Sequence, residues 1–121
     1  MQAKICGYTH YIFGGEVWDD KTQLRIASND LIIIKQEPFQ VEIYEKKSKT
    51  LQKSDFLEYR VVSIRKVSPK NGWSPEARYC HQACVIASSY LVVYGGLSTS
   101  RECLGDIAMF DFAREIWTPL S

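Results

Sequence analysis

The chain lacks the features that mark several large classes of protein. No apolar run approaches the roughly 20 residues that a transmembrane helix requires, so the sequence predicts no membrane span. The residues after Met1 are polar and aromatic and include no apolar core of a signal peptide, which favours an intracellular, cytoplasmic location. The formal net charge of the 121 residues is only +1, so charge points to no particular class of partner.

Cysteine and histidine are also scarce. The four cysteines occur without a secretion signal, so reduced thiols are expected. Neither they nor the two histidines have the spacing of metal ligands, and no motif for a nucleophilic serine, a phosphate loop or a dinucleotide is present. We therefore predict no metal, no cofactor and no catalytic residue. The residues considered are Cys6, Cys80, Cys84, Cys103, His10 and His81.

Positive charge is concentrated in one segment. Residues 46–70 carry eight lysines and arginines against two acidic residues, a balance of +6. No aromatic residue interleaves with the lysines of residues 46–53, so a stacking site for nucleic acid is not expected. The segment is interpreted as a solvated loop, with an acidic surface as an alternative partner.

The apolar residues predict an all-β protein. They form short runs rich in β-branched and aromatic side chains, separated by Gly, Pro, Asn, Asp and Ser. The second half is clearest, because its four runs are joined by short turns and therefore predict one antiparallel meander. The predicted strands are Tyr79 to Ala87, Tyr90 to Tyr94, Asp106 to Asp111 and Glu115 to Leu120.

Two glycine pairs indicate an internal repeat. Gly14-Gly15 ends the predicted strand Tyr8 to Phe13, as Gly95-Gly96 ends Tyr90 to Tyr94. In each half an aspartate, Asp30 or Asp106, then opens the next apolar run. The later strands of the first half are accordingly predicted at residues 29–35 and 40–45.

The glycine pairs lie 81 residues apart, which exceeds the roughly 50 residues of one such unit and predicts an insert of about 30 residues. The basic segment is the favoured insert. An alternative places the third strand at Val41 to Tyr44 and the fourth at Tyr59 to Ile64, with Lys46 to Phe56 as a long hairpin tip.

The second half resembles a kelch repeat. The double glycine, the aspartate, Phe110 and Trp117 are that family's markers in order, and the match covers residues 75–120. Residues 8–45 match more weakly, because Ile34 and Val41 replace the two aromatic residues. The positions that carry the resemblance or the expected structure are Gly14, Gly15, Asp30, Arg78, His81, Gly95, Gly96, Asp106, Phe110 and Trp117.

The resemblance implies four-stranded antiparallel blades of a β-propeller. It divides the chain into a degenerate blade without a clear first strand (1–45), a basic insert or linker (46–74) and a complete blade (75–121). A propeller needs about four to eight blades, so one blade and most of a second imply an incomplete propeller. Such a segment is expected to self-associate through its exposed blade edges or to belong to a longer chain.

The predicted function is that of a protein-interaction scaffold that is not an enzyme. Loops on a rigid scaffold commonly carry binding residues, and tryptophan and arginine dominate binding hot spots. An alternative is a fragment of a propeller enzyme resembling galactose oxidase, since the resemblance does not exclude catalysis. The candidate partner-binding residues are Trp18, Asp19, Asp20, Arg25, Trp73, Arg101 and Glu102.

Overall fold

The computed structural model describes the backbone of residues 7–47 and 50–121 and the side chains of residues 7–39 and 58–121. Its regular structure over these residues consists of β-strands without a helix, which confirms the all-β class. The strands are β1 (Tyr8–Phe13), β2 (Glu16–Asp19), β3 (Leu24–Ala27), β4 (Leu31–Lys47), β5 (Thr50–Val67), β6 (Gln82–Ile86), β7 (Tyr90–Tyr94), β8 (Ile107–Asp111) and β9 (Ile116–Pro119).

The described strands form three sheets, and none of these sheets closes on itself. One sheet has the strand order β1-β4-β5, the second is the hairpin β2-β3, and the third has the order β6-β7-β8-β9. In the third sheet sequential strands are neighbours and every pair is antiparallel. The meander predicted for the second half is therefore confirmed.

Strand β7 has the predicted bounds, whereas the strand before it is shorter than predicted at both ends. Cys80 has φ 57° and Ala87 has φ 53°, both in the left-handed region that interrupts an extended chain. The remaining residues, Gln82–Ile86, pair with β7 so that Cys84 lies opposite Val92. Local backbone conformation thus sets the length of β6, although its apolar composition extends further.

One face of the four-stranded sheet forms the main described core. Leu91, Phe110 and Trp117 lie side by side across β7, β8 and β9, and their exposed fractions are 2%, 0% and 2%. The ring centroids of Phe110 and Trp117 are 5.2 Å apart. Val93 and Ala108 extend this face as the next cross-strand pair and are also buried. Successive side chains of a strand point to opposite faces, so the residues between these buried ones lie on the other face of the sheet.

The first half departs from the favoured strand assignment. Residues 29–35 and 40–45 were predicted as separate strands, but β4 runs without a break from Leu31 to Lys47. Gly7 lies against Gln36, so β4 extends past the start of β1; among the described strands, its neighbour beyond that point is β5. Pro38 lies within β4 and does not end the strand.

The segment predicted as an insert or linker also differs from that interpretation. Most of residues 46–74 belongs to the 18-residue strand β5. The alternative assignment came closer, since it placed a long hairpin here, but it assigned residues 50–56 to the tip instead of the strand. Pairing with β4 satisfies the backbone groups of β5, and this tertiary partner outweighs the polar composition that suggested a loop.

The chain divides into two compact units. The first comprises Met1–His10 and Ile33–Arg65, and the second comprises Tyr11–Ile32 and Lys66–Ser121. Within the first unit, the rings of Tyr8 and Tyr59 are 4.9 Å apart, and the guanidinium of Arg60 lies 5.4 Å from the ring centre of Phe39. The second unit contains both glycine pairs, the β2-β3 hairpin and the four-stranded sheet.

We predict that the variant Trp117→Ala loses about 3–5 kcal/mol of unfolding free energy, because a buried indole is replaced by a cavity. Trp18→Ala provides a matched control, since Trp18 is 56% exposed and its removal leaves no comparable void. Denaturant titration of both variants measures the difference. Equal losses would contradict the assignment of Trp117 to the core.

Candidate functional site

The two glycine pairs have the same backbone conformation. Gly14 and Gly15 have φ values of 71° and 100°, and Gly95 and Gly96 have values of 69° and 92°. Their hydrogen bonds also correspond, since the amide of Gly14 donates to the carbonyl of Asp30 at 3.0 Å and that of Gly95 donates to Asp106 at 3.2 Å. The repeat is therefore present in the backbone geometry.

The second glycine of each pair extends the correspondence. The carbonyl of Gly15 accepts from the amide of Ser28 at 2.8 Å, and that of Gly96 accepts from Leu104 at 2.9 Å. Ser28 lies two residues before Asp30, and Leu104 lies two residues before Asp106. Four positions in each half thus make the same two bonds, although only the glycines and the aspartate are conspicuous in the sequence.

Glycine is required at these turns for two reasons. A Cβ atom on Gly14 would lie 2.8 Å from the carbonyl oxygen of Arg78, and one on Gly96 would lie 2.7 Å from that of Tyr79. Both contacts are with backbone, which cannot move aside as a flexible side chain can. The left-handed φ values add a steric penalty for any residue with a Cβ atom.

Arg78 connects the two glycine pairs. Its side chain is fully buried and donates to both carboxylate oxygens of Asp106 at 2.8 Å, and also to the carbonyl of Gly95 at 3.1 Å. Its own backbone carbonyl accepts from the amide of Gly15 at 2.8 Å, and its amide donates to Ser28 at 3.0 Å. Arg78 therefore contacts both repeats: its backbone bonds to the first repeat and its guanidinium bonds to the second.

The Arg78 guanidinium also lowers the pKa of its partner. Hydrogen bonds from Arg78 lower the pKa of Asp106, and the positive charge acts in the same direction, while partial burial of the carboxylate opposes them. The bidentate geometry favours the ionised carboxylate. The pair joins the segment before β6 to the start of β8.

His81 lies between the glycine pairs. A Cβ atom on either Gly14 or Gly96 would approach it within 3.0 Å, and its ring packs edge-on against Phe13 with 5.6 Å between centroids. Burial lowers the pKa of His81; a hydrogen bond to the carbonyl of Phe13 opposes this and the charge of Arg78 adds to it. Its Nδ1 atom is buried without a hydrogen-bond partner among the described residues.

Residues 16–27 form a two-stranded hairpin. Trp18 on β2 lies opposite Arg25 on β3, and both side chains are exposed. Asp19 holds the turn, because its carboxylate accepts from the hydroxyl of Thr22 at 2.7 Å and its carbonyl accepts from the amide of Gln23 at 2.8 Å. Asp19 is thus a turn residue, whereas Trp18 and Arg25 extend into solvent.

Residues 97–104 form a loop that is held by hydrogen bonds of Ser98. This residue is 4% exposed, its hydroxyl accepts from the amide of Glu102 at 3.2 Å, and its amide donates to the Glu102 carbonyl at 3.0 Å. Arg101 adopts a φ of 63° in this turn and is exposed, as is Glu102. The exposed charged side chains of Arg101 and Glu102 therefore extend from a hydrogen-bonded turn.

One hydrogen bond connects the hairpin to this loop. The amide of Ala27, at the end of β3, donates to the hydroxyl of Thr99 at 3.1 Å. Ala27 itself is 6% exposed, so the bond lies at a buried junction. Six of the seven predicted binding residues therefore belong to two connected segments: Trp18, Asp19, Asp20 and Arg25 lie in the hairpin, and Arg101 and Glu102 lie in the loop.

Trp73 belongs to a separate segment. Its amide donates to the side chain of Asn71 at 3.4 Å, and Asn71 in turn donates to the carbonyl of Trp117 at 3.3 Å. The neighbouring Ser74 accepts from Asn29 at 3.3 Å. Trp73 is 39% exposed, less than Trp18, so its side chain is partly packed against the protein.

Sequence reasoning missed the residues that hold these segments in place. Ser28, Ser98 and Thr99 were not singled out, although Ser28 and Ser98 are buried and Thr99 supplies the bond to the hairpin. Their only sequence signal is a serine or threonine within a loop, which is too common to identify them. The contact between Ala27 and Thr99 joins residues 72 positions apart, so it could be found only from the folded structure.

Comparisons with protein-family models and with curated proteins find no match to this chain. Among the described residues there is no group of three or more His, Cys, Asp or Glu side chains that could hold a metal ion. Cys80, Cys84 and Cys103 are exposed free thiols, while Cys6 lies outside the described residues. Over the described part of the chain, no helix could span a membrane.

We predict that Gly96→Ala loses more than about 1 kcal/mol of unfolding free energy, because the new Cβ atom meets backbone in a left-handed conformation. Gly105→Ala is the matched control, since a Cβ atom there meets nothing within 4 Å. Thermal or denaturant unfolding of both variants provides the comparison. A large loss in the control would show that the contacts of Gly96 are not the cause.

The Arg78–Asp106 pair predicts loss of stability in acid. Because the pKa of Asp106 is lowered from 3.8 on folding, its contribution is present above that value and is lost as the pH falls through the lower value of the folded state. The variant Asp106→Asn should therefore be less stable than wild type near neutral pH and should show a weaker decline in acid. An unchanged pH profile of unfolding free energy in D106N would contradict this role.

Proposed function

We propose that this chain is a protein-interaction module whose partner binds the surface formed by the β2-β3 hairpin and the loop 97–104. We call this the hairpin surface; its residues are Trp18, Asp20 and Arg25 of the hairpin and Arg101 and Glu102 of the loop. The observation that carries the proposal is the exposed Trp18 opposite the exposed Arg25 on a hairpin bonded to a second loop.

The energetics of binding favour these two residues. Trp18 is 56% exposed, so burying its indole against a partner would remove a large apolar area from water. Tryptophan and arginine are enriched among residues that contribute most to interface affinity. A guanidinium beside an indole also combines a charged donor with an apolar platform, which suits a partner that presents carboxylate and apolar groups together.

The backbone support of the hairpin surface reduces the entropy that binding would cost. The turn is held by Asp19, and the hairpin is held at its base by the amides of Ala27 and Ser28, which donate to Thr99 and Gly15. Segments fixed before binding lose less conformational freedom when the complex forms. Asp19 contributes through this support, because its carboxylate is engaged within the turn.

We further propose that the architecture is a kelch-type β-propeller segment. The supporting observations are the four-stranded meander, the repeated hydrogen bonds at the two glycine pairs, and the packing of Phe110 on Trp117. In this proposal the hairpin and the loop 97–104 both connect the second strand of a unit to its third strand. Equivalent loops lie on one side of a propeller, as expected for a shared binding surface.

We expect Trp18→Ala and Arg25→Ala each to weaken partner binding by tenfold or more, which corresponds to about 1.4 kcal/mol or more at a hot spot. Affinity capture with quantitative mass spectrometry identifies proteins that the wild-type chain retains and both variants lose. Binding constants for the identified protein then measure the effect.

Two controls make this experiment specific. Leu120→Ala removes an apolar side chain that is 52% exposed and lies outside the hairpin surface, so it should retain the partner. Trp73→Ala removes a tryptophan from the separate segment and should also retain it. Loss of the same proteins in all four variants would contradict a site centred on Trp18, and loss with W73A alone would transfer the site to that segment.

A further inference from the structure

The two repeats bury opposite faces of equivalent strands. Phe13 and Tyr94 occupy the same position, since each directly precedes its glycine pair, yet Phe13 is 4% exposed and Tyr94 is 53% exposed. One residue earlier the order reverses, because Ile12 is 47% exposed and its equivalent Val93 is 0% exposed. Neighbouring residues of a strand point to opposite faces, so each repeat buries the face that the other leaves open.

The strand after each aspartate shows the same reversal. Leu31 directly follows Asp30 and is 2% exposed, whereas Ile107 directly follows Asp106 and is only half-buried. At the next position Ala108 is 1% exposed, while its equivalent Ile32 is half-buried. The reversal therefore extends over both strands of the repeat.

This pattern defines how the repeats stack. If a two-fold axis related them, both would bury the same positions, as the subunits of an isologous dimer do. Burial of opposite faces requires that the repeats stack in the same sense, front to back. The contact itself is aromatic: the rings of Phe13 and Trp117 are 4.9 Å apart, and those of Tyr11 and Phe112 stack at 3.8 Å.

Front-to-back stacking of two repeats leaves two unlike apolar faces open. The back face belongs to the sheet β6-β7-β8-β9 and includes a shallow groove of about 310 Å³ lined by Gln82, Ala83, Cys84, Val92 and Tyr94. Ile107 and Met109 continue it, as the cross-strand neighbours of Tyr94 and Val92. The front face is the open side of the first repeat and includes Ile12 and Ile32.

We propose that the back face of one chain binds the front face of a second copy of this chain, head to tail. Tyr94 and Ile107 are the equivalents of Phe13 and Leu31, which are buried within the chain, and Phe13 contacts Trp117 of the second repeat. Ile12 and Ile32 are the equivalents of Val93 and Ala108, which are buried on the face of the second repeat that carries Trp117. The intermolecular contact thus continues the interface between the two repeats with residues at the same positions.

A head-to-tail contact has a consequence for assembly. Because each copy keeps one open face after it binds another, association proceeds to a closed ring or to an open filament, according to the rotation between copies. Apolar faces of this kind are also the surfaces that soluble proteins normally cover. The contact uses neither Trp18 nor Arg25, so self-association and partner binding are separable.

Sedimentation velocity of the whole chain over a wide concentration range tests self-association. The wild-type chain should form species larger than a monomer as concentration rises. Alkylation of cysteine in the same samples provides a residue-level readout, because Cys84 lies on the back face while Cys80 and Cys103 are exposed elsewhere. Association should slow the reaction of Cys84 and leave the other two thiols reactive.

Charged variants test which faces meet. Tyr94→Glu on the back face and Ile12→Glu on the front face should each weaken association by more than about tenfold, because a carboxylate would be buried without a partner. Leu24→Glu is the control, because Leu24 is 62% exposed on the β2-β3 hairpin, outside both faces, and this variant should associate as wild type does. Trp18→Ala should also retain self-association.

Mixing the two charged variants distinguishes a head-to-tail contact from a symmetric one. Y94E keeps an intact front face and I12E keeps an intact back face, so their mixture should form a one-to-one dimer and nothing larger. A wild-type chain that stays monomeric, protection absent at Cys84, or a mixture that fails to pair would overturn the proposal. The alkylation readout on the wild-type chain decides the matter even if a charged variant does not fold.

Discussion

The organisation of the second unit depends on the buried guanidinium of Arg78. A buried positive charge is costly unless it is paired and hydrogen-bonded, and here Asp106 and the carbonyls of Gly95 and Glu76 meet that requirement. Those groups can surround Arg78 only if the Gly95 turn and the start of β8 are correctly placed. The backbone of Arg78 meanwhile binds Gly15 and Ser28, so the same residue positions the first repeat.

The glycine pairs make this arrangement possible. Their left-handed turns bring the ends of β1 and β7 against the segment 78–81, with no room for a Cβ atom at Gly14 or Gly96. Each turn is followed by a segment that precedes the next paired strand, which is the β2-β3 hairpin in one repeat and the loop 97–104 in the other. The proposed binding surface is therefore a consequence of the turns that close the core.

The stacking of the repeats connects the core to assembly. Within the second unit, Phe13 packs edge-on against His81 and lies beside Trp117. This packing covers one face of each repeat. Covering one side of each leaves two sides that differ in shape, since Tyr94 stands where Phe13 does and Ile12 stands where Val93 does. Burial of apolar side chains from adjacent sheets holds the two repeats together, and the same effect would favour the proposed association through the outer faces.

The sequence alone determined the all-β class, the four-stranded meander and the two glycine turns. These are local properties: alternation of apolar residues, turn residues between them, and glycine where φ is positive. Only the tertiary structure decided that residues 31–47 and 50–67 are two long paired strands, because the partner of a strand lies elsewhere in the chain. It also decided that Thr99 supports the hairpin, that Asp19 is engaged in its own turn, and that equivalent residues are buried in one repeat and exposed in the other. Burial depends on which sheet lies against a face, and a single strand's sequence does not contain that information.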